Sequence, residues 1–340
     1  MPVTIKDVAA KAGVSPSTVS RVLNDRPGIS PQTRERVLQV ARELNYSPSA
    51  AARNLATART YSIGYVSYKY GSVLPPDLRP ATVAHGTLEG IDEELTRHGY
   101  HMLTTYVDRE AMKSPDTLNM VRQSRVDGLI LNGPSFRPRF ILQLQSTGIP
   151  IVLVDNLLNE TAIDCVLCDN EGGAYQAVRH LIEHGHKHIA FLSGPADWLS
   201  SRERAAGYRR ALREVGSEPH IVFMPNTIVE TGRQAMFTAL EEYPNLTAVM
   251  AVNDATAVGA IQACRQAGRA VPDEIAVVGF DDESWTQIHT PPLTTVHVPW
   301  HEIGIQAARR VMSLIEQDNG VPIQMRLSVE LVIRQSCGCP

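Results

Sequence analysis

The stretch that decides the reading is Thr4–Asn24, TIKDVAAKAGVSPSTVSRVLN. Two short helices around a tight turn are predicted here. Thr4 is placed to cap the first, its hydroxyl accepting from an orphan backbone N–H. Val8, Ala9 and Ala12 recur at helical spacing and mark a buried face. Gly13 stands where a left-handed residue ends a helix. Ser15 caps the second helix, and Pro16 takes its first position, where a missing N–H costs nothing. With Val19, Val22 and Leu23 facing inward, Ser17, Thr18, Ser20 and Arg21 face out. Short hydroxyls and a guanidinium at the N-terminal end of a helix after a turn suit base edges and phosphates in a DNA major groove. The alternative is a two-helix corner inside a larger fold. Ser30-Pro31 then opens a third helix, with Val37, Leu38, Ala41 and Leu44 as its apolar stripe, and three helices close a small helical domain.

Working outward, Asn45-Tyr46-Ser47-Pro48 is a break, and Ser49–Ala56 is a short, Ala-rich segment whose helix is marginal alone in water. A segment helical only when docked makes a hinge. Its Leu55 either packs against the body or serves as an apolar wedge in a minor-groove step. Charge divides at this boundary. Residues 1–60 hold nine Lys/Arg and four Asp/Glu, whereas the remainder holds 23 and 32. A basic head on an acidic body fits a head that sits on phosphates.

From Tyr61 apolar strand-like runs alternate with helical patterns. Strands are predicted at 62–66, 102–106, 128–131 and 151–154, then at 189–192, 221–224, 248–252 and 275–280, with helices between them. Such units imply parallel pairing with right-handed crossovers. Two runs in succession predict two doubly wound parallel-sheet lobes facing one cleft, where ligands bind beyond the carboxyl ends of strands. The tail, 294–340, adds a strand, a helix at 303–315 and one last strand near 327–333. The predicted division is a head at 1–47, a hinge and linker at 48–60 and a body at 61–340. Lobe one takes about 61–158 and 294–320, and lobe two about 159–293 and 321–340. Tyr68–Pro80 is a long Pro-rich loop placed to shape the cleft.

The head stretch, followed by SPQTRERVLQVARELNYSPSAAARNLATART, resembles the DNA-binding head of the lactose/galactose repressor family. RVDGLIL, DNEGG, HLIEHGHKHIAFLSGP, AVNDATAVGA, VPDEIAVVGFDD and PPLTTV extend the resemblance over nearly the whole chain. It implies a homodimeric transcription regulator, most readily a repressor, whose head and hinge bind pseudo-palindromic operator DNA. The implied body is like type I periplasmic binding proteins and takes a small effector, a carbohydrate by its chemistry. By the same resemblance Pro16 and Ser17 sit at operator-reading positions, with Ser17 and Arg21 carrying the direct readout. Thr4, Ser15, Thr18, Ser20, Asn24, Thr33 and Tyr46 complete the DNA-facing set, and Leu55 matches the minor-groove wedge. Effector contacts are implied at Ser67, Asn132, Asp155, Trp198, Arg202, Asn253, Asp281 and His297. The carboxylates and amide suit vicinal hydroxyls, the guanidinium gives a planar fork, and the indole offers a ring face. Asp155 and Asn253 read equally well as a strand-end turn and a helix cap.

Other chemistry is set aside. No nucleophile, base and orienting group stand in order, and no phosphate-cradling loop is present, so neither an enzyme nor a cofactor is expected. The five cysteines, Cys165, Cys168, Cys264, Cys337 and Cys339, are read as core or surface thiols in a cytoplasmic protein. His184, His186 and His188 alternate like metal ligands, yet they read as a solvated turn, and no metal is expected. No apolar run spans a bilayer. A sugar-binding or transport component without DNA function is the competing assignment, and it would not need residues 1–60.

Overall fold

The computed structural model describes residues 3–23, 26–46, 59–68, 83–158, 161–316 and 321–339. Expectations for Asn24, for the hinge helix with Leu55 and for the loop after Tyr68 fall outside these residues. The chain forms two compact units, Met1–Tyr61 and Ser62–Pro340.

In the first unit, α1 (Ile5–Ala12), α2 (Pro16–Leu23) and α3 (Pro31–Glu43) enclose a small core of Val8, Ala9, Ala12, Val19, Val22, Val37, Val40 and Ala41. The cap of α1 corrects the expectation for Thr4. Its hydroxyl donates to the Asp7 carboxylate at 2.7 Å, and the same oxygen accepts from the Thr4 N–H at 2.8 Å. A carboxylate in the first turn also complements the helix dipole, so it takes the acceptor's role. Gly13 closes α1 at φ 65°, in the left-handed region. Ser15 and Ser30 cap α2 and α3 as expected, accepting from the N–H groups of Thr18 and Thr33.

The second unit holds two parallel sheets. Lobe one contains β1 (Ser62–Tyr68), β2 (His101–Val107), β3 (Gly128–Asn132), β4 (Ile151–Val154), β5 (Asp164–Cys168) and β11 (Gln324–Leu327), in the order β11-β5-β4-β3-β1-β2. Around it lie α4 (Val83–Arg97), the short α5 (Asn119–Arg122), α6 (Pro138–Gln145) and α11 (Trp300–Glu316). Lobe two contains β6 (Ile189–Ser193), β7 (His220–Phe223), β8 (Ala248–Ala251) and β9 (Ala276–Val278), in the order β7-β6-β8-β9. Its helices are α7 (Asn170–Glu183), α8 (Leu199–Glu214), α9 (Val229–Glu242) and α10 (Asp254–Gln266). A small antiparallel pair, β10 (Thr295–His297) with β12 (Glu330–Val332), joins lobe two through single bridges from Val278 to Thr294 and from Asp281 to His297.

Three predicted boundaries need correction. Residues 294–298, assigned to lobe one, bridge to lobe two at Thr294 and His297. Residues 164–168, assigned to lobe two, pair in parallel with β4 and belong to lobe one. The tail's single last strand is two strands, of which β11 pairs with β5 in lobe one and β12 with β10. The reason is hydrogen bonding: β4 would otherwise leave an open ladder edge, and five buried residues with no polar alternation fill it. The chain therefore passes between the lobes three times, after Cys168, after Val298 and after Leu327. Within lobe one, Arg310 of α11 ties the starts of β5 and β11 together. Its Nε donates to Asp164 Oδ1, which also accepts from the Ile323 N–H at 2.9 Å.

Candidate functional site

The head offers a contiguous polar face. Pro16 and Ser17 are exposed at the start of α2, with Thr18 and Ser20 half-buried beside them. Ser15, Ser17 and Thr18 share hydroxyl hydrogen bonds at 2.7 and 2.9 Å, so their oxygens form one cluster at the helix N-terminus. Such a terminus attracts phosphate. Arg21 is exposed and donates one guanidinium nitrogen to Pro27 O at 2.9 Å, which holds the fork beside the loop before α3. Thr33 accepts from the Ser30 hydroxyl at 2.8 Å in the first turn of α3. Tyr46 is half-buried against the head core.

The body contains a cavity of about 870 Å³ between its lobes, large enough for a small ligand. Lobe one lines it with Ser67 at the end of β1, Asn132 at the end of β3, Asp155 just past β4, and Arg109, Phe136 and Arg137 from loops. Lobe two supplies Trp198, Arg204, Asn226, Asn253 and Asp281, and Trp300 sits where the chain re-enters lobe one. Strand ends thus supply most of the polar wall, as doubly wound sheets predict.

Of the eight residues expected here, Ser67, Asn132, Asp155, Trp198, Asn253 and Asp281 line the cavity. Two placements are corrected. Arg202 is exposed outside it, its Nη1 donating to Asp197 O at 3.2 Å. His297 also lies outside the lining, with Nδ1 3.1 Å from Asp282 Oδ2. The cavity's buried cation is Arg204, two residues on, which the sequence reading missed. The signal was present: Ser201, Arg204, Ala205 and Tyr208 repeat at helical spacing and are all buried, whereas residue 202 falls off that face.

Arg204 is held from several sides. Nε donates to Asn170 Oδ1 at 2.8 Å, Nη1 to Val252 O, and Nη2 to Asp281 Oδ1 at 3.4 Å. The guanidinium carbon sits 3.7 Å from the centre of the Phe280 ring. Asn170 comes this near because α7 and α8 touch backbone to backbone at Gly207. A Cβ there would stand 2.1 Å from Glu171 O, so no larger residue fits.

The two acids differ in their partners. Asp281 has its cation, while Asp155 Oδ1 is buried with no hydrogen-bond partner among the described residues. Trp300 Nε1 is likewise buried and unpartnered. Burial raises both carboxyls to about 7, against the opposing pull of Arg204. Near neutrality each is poised to donate or to accept. Both residues have positive φ, 53° for Asp155 and 108° for Asp281, a backbone cost that clusters at functional sites. Asn253 is committed elsewhere. Its Oδ1 caps α10 by accepting from the Thr256 N–H at 2.9 Å, and its Nδ2 donates to Thr227 O at 3.1 Å. Asn132 donates through Nδ2 to the Tyr65 hydroxyl at 2.6 Å.

Residues 4–49 match the family described as bacterial regulatory proteins, lacI family, and residues 178–337 match the periplasmic binding protein-like domain. The chain is 32% identical to catabolite control protein A of Priestia megaterium over 340 residues, covering 99% of both chains. This chain belongs to the lacI family of bacterial transcription regulators. Among its relatives are the repressor PurR of Aliivibrio fischeri, at 32% identity, and the regulator CelR of Thermobifida fusca, at 33%, each match covering 98% of both chains. The lac repressor dimer bound to operator and the anti-inducer ONPF superimposes with a TM-score of 0.83 at 30% identity, covering 99% of both chains. A CelR–cellobiose complex gives 0.74 at 30% identity, covering 98% of this chain and 99% of that one. Membership of this family accounts for a helix-turn-helix head on a two-lobed α/β body. No helix among the described residues is long and apolar enough to cross a membrane.

Proposed function

We propose that the protein is an operator-binding repressor, cytoplasmic and homodimeric, released or engaged by a small polyhydroxylated effector in the cavity between its lobes. One observation carries the effector assignment: the wall presents buried polar atoms that lack partners, Asp155 Oδ1 and Trp300 Nε1. An unsatisfied buried acceptor or donor costs on the order of 1–3 kcal/mol, which a ligand that satisfies it returns as affinity. Carboxyls poised near neutrality match hydroxyls, which also both donate and accept. Trp198 and Trp300 supply ring faces for the apolar side of a sugar. Relatives with sugar ligands in their solved complexes support the same class.

In the head, Ser17 and Arg21 read bases, while the Ser15–Thr18 cluster, Ser20, Thr33 and Tyr46 engage phosphates. Two heads of one dimer meet two half-sites. The effector acts by binding two conformations of the body unequally, and the size of that inequality limits the response.

Thermal shift against a panel of sugars and sugar phosphates, followed by gel shift on genomic fragments with each hit, tests the reading. A hit should raise the unfolding temperature and change fragment affinity. If DNA binding is salt-sensitive and specific yet no panel member moves either quantity, the sugar assignment fails while the DNA assignment stands.

A further inference from the structure

We propose that Cys337, Cys339, His180 and His184 form a site for a borderline-soft divalent cation of the zinc type. Bound there, the ion fastens residues 334–339 to the last turn of α7. His180 and His184 are four apart on that helix and share a face, their ring centres 4.3 Å apart. His184 Nδ1 lies 2.7 Å from His180 O. A carbonyl only accepts, so Nδ1 holds the proton and Nε2 keeps its lone pair outward, the usual orienting arrangement for a metal-bound imidazole. His180 Nε2 stands 3.1 Å from Cys339 Sγ, and Cys337 Sγ stands 3.0 Å from the same sulfur. The ligand atoms of His180, His184 and Cys339 all lie within 4.8 Å of one another. Gly338, at φ +79°, makes the turn that brings the two cysteines together.

The donor set decides the ion. His180, His184 and Cys339 stand together, and Cys337, which touches Cys339, supplies the fourth donor by turning toward His184; two thiol sulfurs and two imidazole nitrogens are a tetrahedral zinc set, and no carboxylate joins the group among the described residues. That disfavours magnesium and calcium, which want oxygen. Two thiolates on one zinc stand about 3.8 Å apart, given Zn–S bonds of about 2.3 Å. The sulfurs must therefore separate by less than about 1 Å, which half-exposed Cys339 can supply. Thr294 Oγ1 donates to Cys337 Sγ at 3.1 Å and accepts from the Arg334 N–H at 2.9 Å, so the deep sulfur is already oriented. Binding releases the thiol protons to solvent and changes no oxidation state. The alternating His186 takes no part; its Nδ1 sits 3.1 Å from Thr247 Oγ1.

Titration of the reduced full chain with Co²⁺, read by absorption, tests this. One equivalent should give thiolate-to-cobalt bands in the near ultraviolet and strong tetrahedral d–d bands, both erased by one equivalent of Zn²⁺. Cys339→Ser, at a half-exposed residue, and His184→Gln, at an exposed one, should each weaken binding at least tenfold while the far-ultraviolet circular dichroism stays unchanged. Cys264→Ser, remote from the cluster, should bind normally. Octahedral cobalt spectra without thiolate bands, or wild-type affinity in the Cys339→Ser/His184→Gln double variant, would overturn the site. So would formation of a Cys337–Cys339 disulfide in air with no measurable cobalt uptake by the reduced chain.

Discussion

The head and the cavity work by opposite constructions. The head's polar face comes from about thirty consecutive residues, its side chains set by local rules of capping, turn and helical period. The cavity wall comes from strand ends and loops spread from residue 67 to residue 300, brought together only by two sheets and the helices on them. A face of the first kind can be altered one side chain at a time. A wall of the second kind contains couplings, and Arg204 is the main one, since it joins Asn170, Val252, Phe280 and Asp281.

The largest expected effect tests that difference. Arg204→Ala breaks the buried pair with Asp281 and removes the donors to Asn170 and Val252 O, and should cost about 3–5 kcal/mol of body stability, together with all effector response. Arg202→Ala, on an exposed residue, should stay within about 0.5 kcal/mol with the response intact. Equal losses in the two variants, measured by denaturant unfolding, would erase the contrast. Next, Arg21→Ala should lower specific operator affinity by about 1–3 kcal/mol, roughly ten- to a hundredfold, with effector-induced thermal shifts unchanged. A change in those shifts would mean the head is not independent of the cavity.

The two cavity acids give the body a pH signature, which buried Asp254 beside Asp281, also raised by burial, shares. Their folded pKa, about 7, lies above the unfolded value near 4, so the native state binds more protons between those limits. Stability from these groups is present below about pH 4 and is lost as pH rises through 7. The body should therefore melt several degrees higher at pH 5.5 than at pH 8, and Asp155→Asn should flatten part of that slope. A slope of opposite sign in the variant would show that other groups dominate. The smallest effect belongs to the head: Ser15→Ala removes one cap and should cost about 1 kcal/mol of head stability, visible by amide exchange, with body exchange unchanged.

What was legible in the sequence follows the same division. Helix period, Gly13, Pro16 and Ser30-Pro31 announced three helices because each signal acts within a few residues. The alternation of strands and helices announced the body for the same reason. The lobe boundary did not show, because β5 belongs with β4 through a ladder that local pattern does not encode. In the cavity, strand-end positions were found and the helix-borne cation was misplaced by two residues. Strand ends converge by topology, whereas the position of a side chain around a helix requires knowing which stripe is buried. Asn253 shows the limit of residue type: the same amide fits a ligand contact and a helix cap, and hydrogen bonding assigns it to the cap.

The third passage between the lobes also bears on how the chain is made. Ser336 donates to Val277 O at 2.6 Å and accepts from the Thr294 N–H at 2.8 Å, while Arg334 grips Asp282 at 2.6 Å. During translation, the sheet edge at β9 and β10 must wait, with these groups unsatisfied, until residues 330–336 leave the ribosome. Lobe two is thus finished only by residues that follow all of lobe one in the chain, so a nascent regulator cannot complete this lobe ahead of the other.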